Sequence, residues 1–223
     1  MSAARSGGAG RSRPRARTRD PEDKRARVMD AARRLFSERG YASTTTAHVA
    51  RDAGVSEGIL FHHFGSKADL LAEVASDYGL GLARAMFEAA PGPIEVPSAE
   101  AMLRRAFGYV RKHGALARLL SISADETGSF VARRASRKQI VGALARGFDD
   151  WSRRGLVRPM DPQIVAELLY ALVEEALMQC FVRGDGSREE DYLREAVRCV
   201  EGAASFRSPQ TLSPEPNVTR SPK

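Results

Sequence analysis

Apolar residues recur along most of this chain at the three- and four-residue spacing of an amphipathic α-helix. Between Pro21 and Gly40 they form a single stripe along one helical face. No proline interrupts residues 22–90, 98–158 or 163–208, and proline is poorly tolerated inside helices. The pattern therefore predicts an all-α fold. The first stripe consists of Val28, Ala31, Ala32, Leu35 and Phe36.

The N-terminal part of the pattern predicts three short helices followed by a longer one. Gly54 interrupts the apolar pattern and places a tight turn before Ser56, which is a suitable N-cap for the third helix. That helix is expected to end near Phe64, and Ser66 begins a capping box that opens the fourth helix. Two short helices joined by such a turn predict a helix-turn-helix at residues 45–64.

Prolines at positions 91, 93 and 97 follow the fourth helix and mark a loop before the second part of the chain. We expect about nine helices in two domains, at residues 20–82 and 83–206. The flanking residues 1–19 and 207–223 are rich in Arg, Ser and Pro, so we expect them to be disordered. The helices predicted for the second domain lie at roughly 98–113, 115–124, 128–154, 162–183 and 188–206.

The positive charge of the chain is concentrated at its N-terminus. The formal net charge is +7, and six arginines precede Asp20, the first acidic residue. Such a basic arm favours a polyanionic partner such as nucleic acid. We expect the arm to contact phosphates without sequence preference, and insertion into the minor groove is the alternative.

The chain lacks the sequence signals of a membrane or secreted protein. No apolar run approaches the roughly 20 residues that cross a bilayer, and the basic N-terminus lacks the apolar segment of a secretion signal. Two cysteines, Cys180 and Cys199, do not make a disulfide framework. We therefore expect a cytoplasmic location and no membrane partner.

The histidines of the helix-turn-helix are not spaced as metal ligands. His62 and His63 are adjacent, so their side chains point about 100° apart on a helix and cannot easily share an ion. His48 lies on the preceding helix. The chain also contains no nucleophile elbow, Walker loop or zinc-protease motif. We therefore predict no metal site, no cofactor and no enzymatic activity.

Four segments of the N-terminal part carry a resemblance to a known family. The segments LFSERGY, TTTAHVARDAGVS, GILFHHF and SKADLL follow one another in order and at matching spacing. Through them, residues 24–75 resemble the DNA-binding domain of the TetR family of bacterial transcriptional regulators. The rest of the chain resembles the family only in general form, as a helical ligand-binding and dimerisation domain.

The resemblance implies a transcriptional regulator, more often a repressor than an activator, near the bacterial nucleoid. Such a protein binds a palindromic operator on double-stranded DNA as a homodimer, and a small-molecule effector releases it. The alternative is a helical small-molecule-binding protein whose DNA-binding head is vestigial. A salt-dependent gel shift would separate the two functions.

The third helix of a helix-turn-helix lies in the major groove. Glu57 stands where many family members have lysine, and it either accepts a hydrogen bond from a cytosine or favours the positive end of the helix. His62 replaces a tyrosine that often contacts phosphate. By this resemblance the family's DNA contacts fall on Thr45, Ser56, Glu57, Gly58, Ile59, Phe61, His62, His63 and Lys67, and we predict that Thr44 contacts DNA as well.

The helix at residues 162–183 is apolar on nearly all sides, so it must be covered on nearly all sides. A second subunit is the natural cover for one face. The predicted dimer interface consists of Ile164, Leu168, Leu172, Leu177, Val197 and Val200.

Large apolar residues are frequent in the middle helices of the second domain. The family resemblance suggests that they line a pocket for a small apolar effector, and ordinary core packing is the alternative. The predicted pocket residues are Phe107, Leu116, Leu119, Leu120, Phe148, Trp151, Tyr170 and Phe181.

Overall fold

The computed structural model describes residues 21–87, 98–122 and 127–204 of the chain. These residues form nine α-helices and no strand, which confirms the predicted all-α fold. Both predicted disordered ends and the proline-containing segment 88–97 lie outside the described residues.

The first four helices follow the predicted pattern. The stripe of α1 is buried, and Gly40 has the left-handed φ of +77° expected after a helix end. Leu60 and Phe64 of α3 join the same core, together with apolar residues of α2 and α4. The four helices are α1 (Pro21–Arg39), α2 (Thr46–Ala53), α3 (Glu57–Phe64) and α4 (Lys67–Phe87).

The turn between α2 and α3 has the geometry of a helix-turn-helix. Gly54 adopts a left-handed conformation, with φ +64°, and its N–H donates to the carbonyls of Ala50 and Arg51. A side chain is strained at such a φ, which accounts for the glycine. The Ser56 hydroxyl then accepts from the Ile59 N–H and begins α3. The predicted helix-turn-helix is confirmed.

The remaining helices begin and end within a few residues of the predicted positions. One difference is the end of α8, where residues Met178–Val182 form a π-helical turn instead of a regular α-helix. The Asp161 carboxylate caps α8 by accepting from the N–H groups of Gln163 and Ile164. The helices are α5 (Ala99–Lys112), α6 (Gly114–Ile122), α7 (Thr127–Arg153), α8 (Pro162–Leu177) and α9 (Glu189–Ala204).

Helix α4 joins the N-terminal helices to the second part of the chain. It packs along α7 and also contacts α1 and α5. The predicted domain boundary between residues 82 and 83 falls inside this continuous helix. The division into two domains therefore stays a prediction, and any displacement of α4 reaches both parts of the fold.

None of the described helices is both long enough and apolar enough to cross a lipid bilayer.

Candidate nucleic-acid interface and internal cavity

One face of α3 is exposed to solvent, and the opposite face is buried in the N-terminal core. Leu60 and Phe64 lie on the buried face. Ile59 and His63 are half-buried at its edges. The buried side fixes the orientation of the helix, so the outer side is presented as a rigid surface. The exposed residues of α3 are Glu57, Gly58, Phe61 and His62.

Phe61 is the large apolar side chain on this outer face, and 46% of its surface is exposed. Exposed aromatic rings of this kind contribute to recognition when a partner covers them. In the major groove, the apolar contact available to such a ring is a thymine methyl group. Phe61 stays a predicted DNA contact, since its ring is accessible to a partner.

Thr45 and Ser56 are the N-caps of α2 and α3. The Thr45 hydroxyl accepts from the His48 N–H at 3.2 Å, and the Ser56 hydroxyl accepts from the Ile59 N–H at 3.3 Å. Each hydroxyl keeps its own proton, which remains available for donation to a phosphate oxygen. Both helix starts also direct backbone N–H groups outward, and such groups attract anions.

Thr44 is fully buried, so the prediction that its side chain contacts DNA is wrong. Its Oγ1 lies 2.8 Å from the Gly40 carbonyl oxygen and 3.3 Å from that of Leu35. The hydroxyl thus satisfies carbonyl groups at the end of α1, where the helix no longer provides N–H partners. Thr44 holds the connection between α1 and α2 against the core.

Replacing Thr44 by valine is expected to lower the free energy of unfolding by about 1–2 kcal/mol, because buried carbonyls lose their donor while the shape is kept. Urea denaturation followed by circular dichroism measures the change. Ser43→Ala is the matched control, since Ser43 is exposed and its substitution should have little effect. Equal stability of T44V and the unmodified protein would contradict the assignment.

Glu57 is held in place by a residue that the sequence pattern did not single out. The Thr46 Oγ1 donates to the Glu57 Oε1 at 2.8 Å and so connects α2 to the first residue of α3. Both predicted roles of Glu57 are compatible with this position. The two residues are 11 positions apart, and no helical spacing relates them, so only the turn geometry brings them together.

Lys67 lies at the first residue of α4, where its ammonium group is 4.1 Å from the centroid of the Tyr41 ring. This cation–π contact holds the charge beside the start of the helix. The neighbouring Ser66 hydroxyl accepts from the Asp69 N–H at 3.0 Å and lies 2.6 Å from the Asp69 Oδ2. A cation and a capped helix start therefore adjoin each other, as a phosphate contact requires.

Ion pairs join α1 to its neighbours. Arg25 bonds to Glu73 at 2.9 Å and Arg33 bonds to Asp77 at 2.7 Å, and both acidic residues lie on α4. These exposed pairs contribute little to stability individually. Their geometric consequence is larger, because they connect the first helix of the N-terminal part to α4, which reaches the second part.

Helices α4 to α9 enclose a cavity of about 110 Å³ with mostly apolar walls. Four of the eight predicted pocket residues line it. They are Leu120, Phe148, Trp151 and Tyr170.

The prediction was wrong for the other four pocket residues. Phe107 and Leu116 are buried in the core, and the Phe107 ring packs 5.9 Å from that of Phe181. Leu119 is partly buried against the core at another position. A size criterion cannot distinguish a cavity wall from packed core, because both require large apolar side chains.

Three polar groups at the cavity wall bond to one another. The Tyr170 hydroxyl donates to the Glu174 Oε1 at 3.0 Å, and the Arg133 Nη2 donates to the same oxygen at 3.1 Å. Burial, and then the charge of Glu174, raise the pKa of Tyr170. Arg133 and Glu174 are not among the residues predicted from the sequence to line a pocket. The four-residue spacing of Tyr170 and Glu174 was the available signal.

A second aromatic group adjoins the cavity from the side of α4. Tyr78 is buried, lines the cavity and packs 5.4 Å from the Tyr109 ring, which lies 4.4 Å from that of His113. Burial raises the pKa of Tyr78, and it lowers the pKa of His113 together with the nearby charges of Lys112 and Arg33. His113 also ends α5, where its N–H donates to the Tyr109 carbonyl.

The outer face of α8 exposes large apolar residues. Ile164 and Leu168 are 57% and 66% exposed, and they lie one helical turn apart. Leu172 and Val197 are half-buried. Val200, by contrast, is buried and lines the cavity together with Leu177. The predicted interface role of Val200 is therefore wrong, because its side chain already faces the interior of one chain, whereas the half-buried Leu177 stays a predicted interface residue.

Comparison with known proteins finds a matching family model and similar sequences. Residues 28–74 match the family model of bacterial regulatory proteins of the tetR family. The chain is 26% identical over 188 residues to the HTH-type transcriptional repressor SCO4008 of Streptomyces coelicolor, covering 81% of this chain and 94% of that repressor. It is 46% identical to the HTH-type transcriptional regulator HbdR of Aromatoleum sp. over 50 residues, which are 22% of each chain.

The fold also resembles solved structures. The structure of a SmeT–triclosan complex matches with a TM-score of 0.58 and 21% identity, covering 90% of this chain and 99% of SmeT. At this identity the likeness shows a shared fold over nearly the whole of both chains.

Proposed function

Because the chain belongs, through its N-terminal domain, to the TetR family of bacterial regulatory proteins, we propose that it represses transcription from a palindromic operator as a homodimer. A small molecule bound in the cavity releases it. Its curated relatives are transcriptional repressors and regulators, which are not enzymes. The observation that carries the proposal is the outer face of α3, which is exposed although its opposite face is locked in the core.

The outer face of α3 fits the major groove. Glu57 and Phe61 are exposed one turn apart, and Gly58 and His62 repeat that spacing beside them. Side chains in two such rows reach base edges, while hydroxyls at the helix starts reach phosphates. Of the predicted contacts, Thr44 is removed. Thr45, Ser56, Glu57, Gly58, Ile59, Phe61, His62, His63 and Lys67 remain in the proposal.

The exposed face of α8 supports a dimer. Ile164 and Leu168 leave a contiguous apolar surface in water, and a second copy of the same face would cover it. A twofold axis then relates two copies of α3, which read two half-sites of an inverted repeat. One helix-turn-helix contributes few base contacts, so the second copy is also needed for specificity.

The position of the cavity supports release by a small molecule. Tyr78 and Leu82 of α4 line it, and Asp77 of the same helix pairs with Arg33 of α1. A ligand that prefers one position of α4 therefore biases the position of the DNA-binding part. The solved SmeT complex contains triclosan, which shows that a protein of this fold binds a small molecule.

Footprinting of the purified protein on DNA from its own genomic neighbourhood tests the regulator function. We expect protection of one inverted repeat, with an affinity that falls steeply as salt is raised. If the protein binds all DNA sequences with equal affinity, or binds none, it is not a sequence-specific regulator. That result would favour the alternative of a small-molecule-binding protein with a vestigial DNA-binding head.

Replacing Phe61 by alanine is expected to weaken operator binding by about tenfold, since one base contact contributes about 1–3 kcal/mol. Fluorescence anisotropy at fixed salt measures the affinity. Phe130→Ala is the matched control, because Phe130 is 66% exposed but lies on α7. If both variants bind the operator like the unmodified protein, α3 does not read bases through Phe61.

A further inference from the structure

The cavity is polar at one end and apolar at the other. Gly79 of α4 lies against Ser136 of α7, and further along both helices Phe87 lies against Gly147. Helices α4 and α7 therefore run parallel, and this register assigns each cavity residue to an end. The polar end contains Tyr78, Arg133, Ser136, Tyr170 and Glu174.

The opposite end presents aromatic and sulfur-containing side chains. The Phe148 and Trp151 rings pack edge to face, with centroids 5.4 Å apart, and Met86 of α4 lies on the same wall. Such side chains accept flat or flexible apolar groups with little loss of contact. Nothing on this wall can neutralise a charge.

The charges at the polar end are already paired. Arg133 bonds to Glu174, and Arg137 lies 4.0 Å from Glu167 on the same two helices. A carboxylate ligand would have to replace Glu174 as the partner of Arg133. An ammonium ligand would have to replace Arg133 as the partner of Glu174. The Arg133 and Glu174 side chains are 49% and 26% exposed and keep some contact with water, whereas a charged ligand would give up its own water on entering the apolar cavity, which is costly.

Neutral hydrogen-bonding capacity is available at the same end. Within the described residues, the hydroxyl of the buried Tyr78 has no hydrogen-bond partner, although the side chain lines the cavity. Burial keeps both Tyr78 and Tyr170 protonated, because it raises their pKa values. An uncharged polar group can therefore bond to Tyr78 without breaking an existing pair.

We propose that the effector is an uncharged amphipathic molecule, whose single hydrogen-bonding group lies at the Tyr78 end and whose apolar body lies against Phe148 and Trp151. The proposal rests on the regulator function above and specifies its ligand. The size of the cavity limits the body to about one ring with a short alkyl chain. At about 110 Å³ it is somewhat smaller than an engineered apolar cavity of roughly 150 Å³ that binds benzene.

The head group of such a ligand lies close to the connection with the DNA-binding part. Tyr78 follows Asp77, whose carboxylate bonds to Arg33 of α1. A ligand that orders Tyr78 therefore acts on the segment of α4 that carries this pair. The position gives an uncharged ligand a route to the operator-binding helices.

Trp151 provides a direct measurement, because it is the single tryptophan of the chain and lines the cavity. We propose to titrate its fluorescence with 4-propylphenol and with three analogues that have the same propylphenyl body: propylbenzene, 4-propylbenzoate and 4-propylbenzylamine. We expect 4-propylphenol to bind about three- to tenfold more tightly than propylbenzene and at least tenfold more tightly than both ionised analogues. Equal or tighter binding of an ionised analogue, or no binding by any of them, overturns the proposal.

Substitutions at the polar end separate the hydrogen bond from general packing. Tyr78→Phe is expected to weaken 4-propylphenol by about three- to tenfold and to leave propylbenzene unchanged. Tyr192→Phe on α9, which does not line the cavity, should change neither. An equal loss for both probes in Y78F, or no loss for either, contradicts the assigned position of the polar group.

This readout does not involve DNA, so it distinguishes the two proposals. Tight binding of 4-propylphenol by a protein that protects no operator would refute the regulator function and support the ligand class. Operator binding without the expected order of probe affinities would refute the ligand class alone.

Discussion

Replacing Leu168 by glutamate is expected to convert the protein to a monomer and to lower operator affinity by roughly a hundredfold or more. Leu168 is 66% exposed within one chain and lies at the centre of the proposed dimer face. In the dimer two glutamates would be buried near the twofold axis without a partner, and burying one unpaired charge costs several kcal/mol. Sedimentation equilibrium measures the mass, and anisotropy on the footprinted operator measures the affinity.

The matched control is the same substitution on another helix. Leu80 of α4 is 36% exposed and does not belong to the proposed dimer face on α8, so Leu80→Glu should leave the protein dimeric. Circular dichroism establishes that both variants are folded. A dimeric L168E protein would show that the outer face of α8 is not the interface, and the proposed pairing of two α3 helices would then lack its basis.

Replacing Gly79 by alanine is expected to lower the free energy of unfolding by about 3 kcal/mol, the upper part of the usual range for overpacking a core. A Cβ at this position would lie 2.5 Å from the backbone oxygen of Ser136 and 2.9 Å from its Cα. These atoms belong to the backbone of α7 and cannot rotate away, so the two helices must separate. Chemical denaturation measures the loss.

Gly108→Ala provides a control for which the free energy of unfolding is expected to rise instead of fall. Gly108 lies inside α5, and a Cβ there would meet no atom within 4 Å. The same substitution should therefore stabilise the protein by about 0.5–1 kcal/mol through helix propensity alone. If G79A gains stability as G108A does, the close crossing of α4 and α7 is not rigid, and Gly79 has no packing role.

The crossing at Gly79 matters for function because it adjoins both sites. Tyr78, the preceding residue, lines the cavity, and Asp77 before it pairs with Arg33 of α1. The three consecutive residues Asp77, Tyr78 and Gly79 of α4 thus contact α1, the cavity and α7, in that order. A variant that separates α4 from α7 should alter ligand affinity and operator affinity together, which links the two proposals physically.

Much of the helix-turn-helix was predictable because its signals are local. The Ser56 cap acts over three residues, and the Gly54 turn follows from a left-handed conformation that favours glycine. The stripe on α1 repeats with the helical period, so its burial could be read from spacing. Such signals depend on backbone geometry within one or two helical turns, so they can be recognised without knowing the tertiary structure.

Other features depended on how distant segments meet. Thr44 is a hydroxyl residue beside a helix start, like Thr45, and only the path of the chain against α1 buries one and exposes the other. Phe107 and Phe148 are equally apolar, yet one packs on Phe181 in the core and the other lines the cavity. The residue type sets the tendency of a side chain to be buried. The tertiary contacts decide whether it packs against other side chains or lines a cavity.

The amino-acid sequence by itself determined the helical class, the helix ends, the helix-turn-helix and the presence of an apolar surplus in the second part of the chain. Tertiary structure alone decided that α8 turns Ile164 and Leu168 outward but Val200 of α9 faces inward, and that Arg133 meets Glu174 at the cavity. The reason is physical: helical period and capping act over a few residues, whereas the pairing of faces depends on packing between segments tens of residues apart.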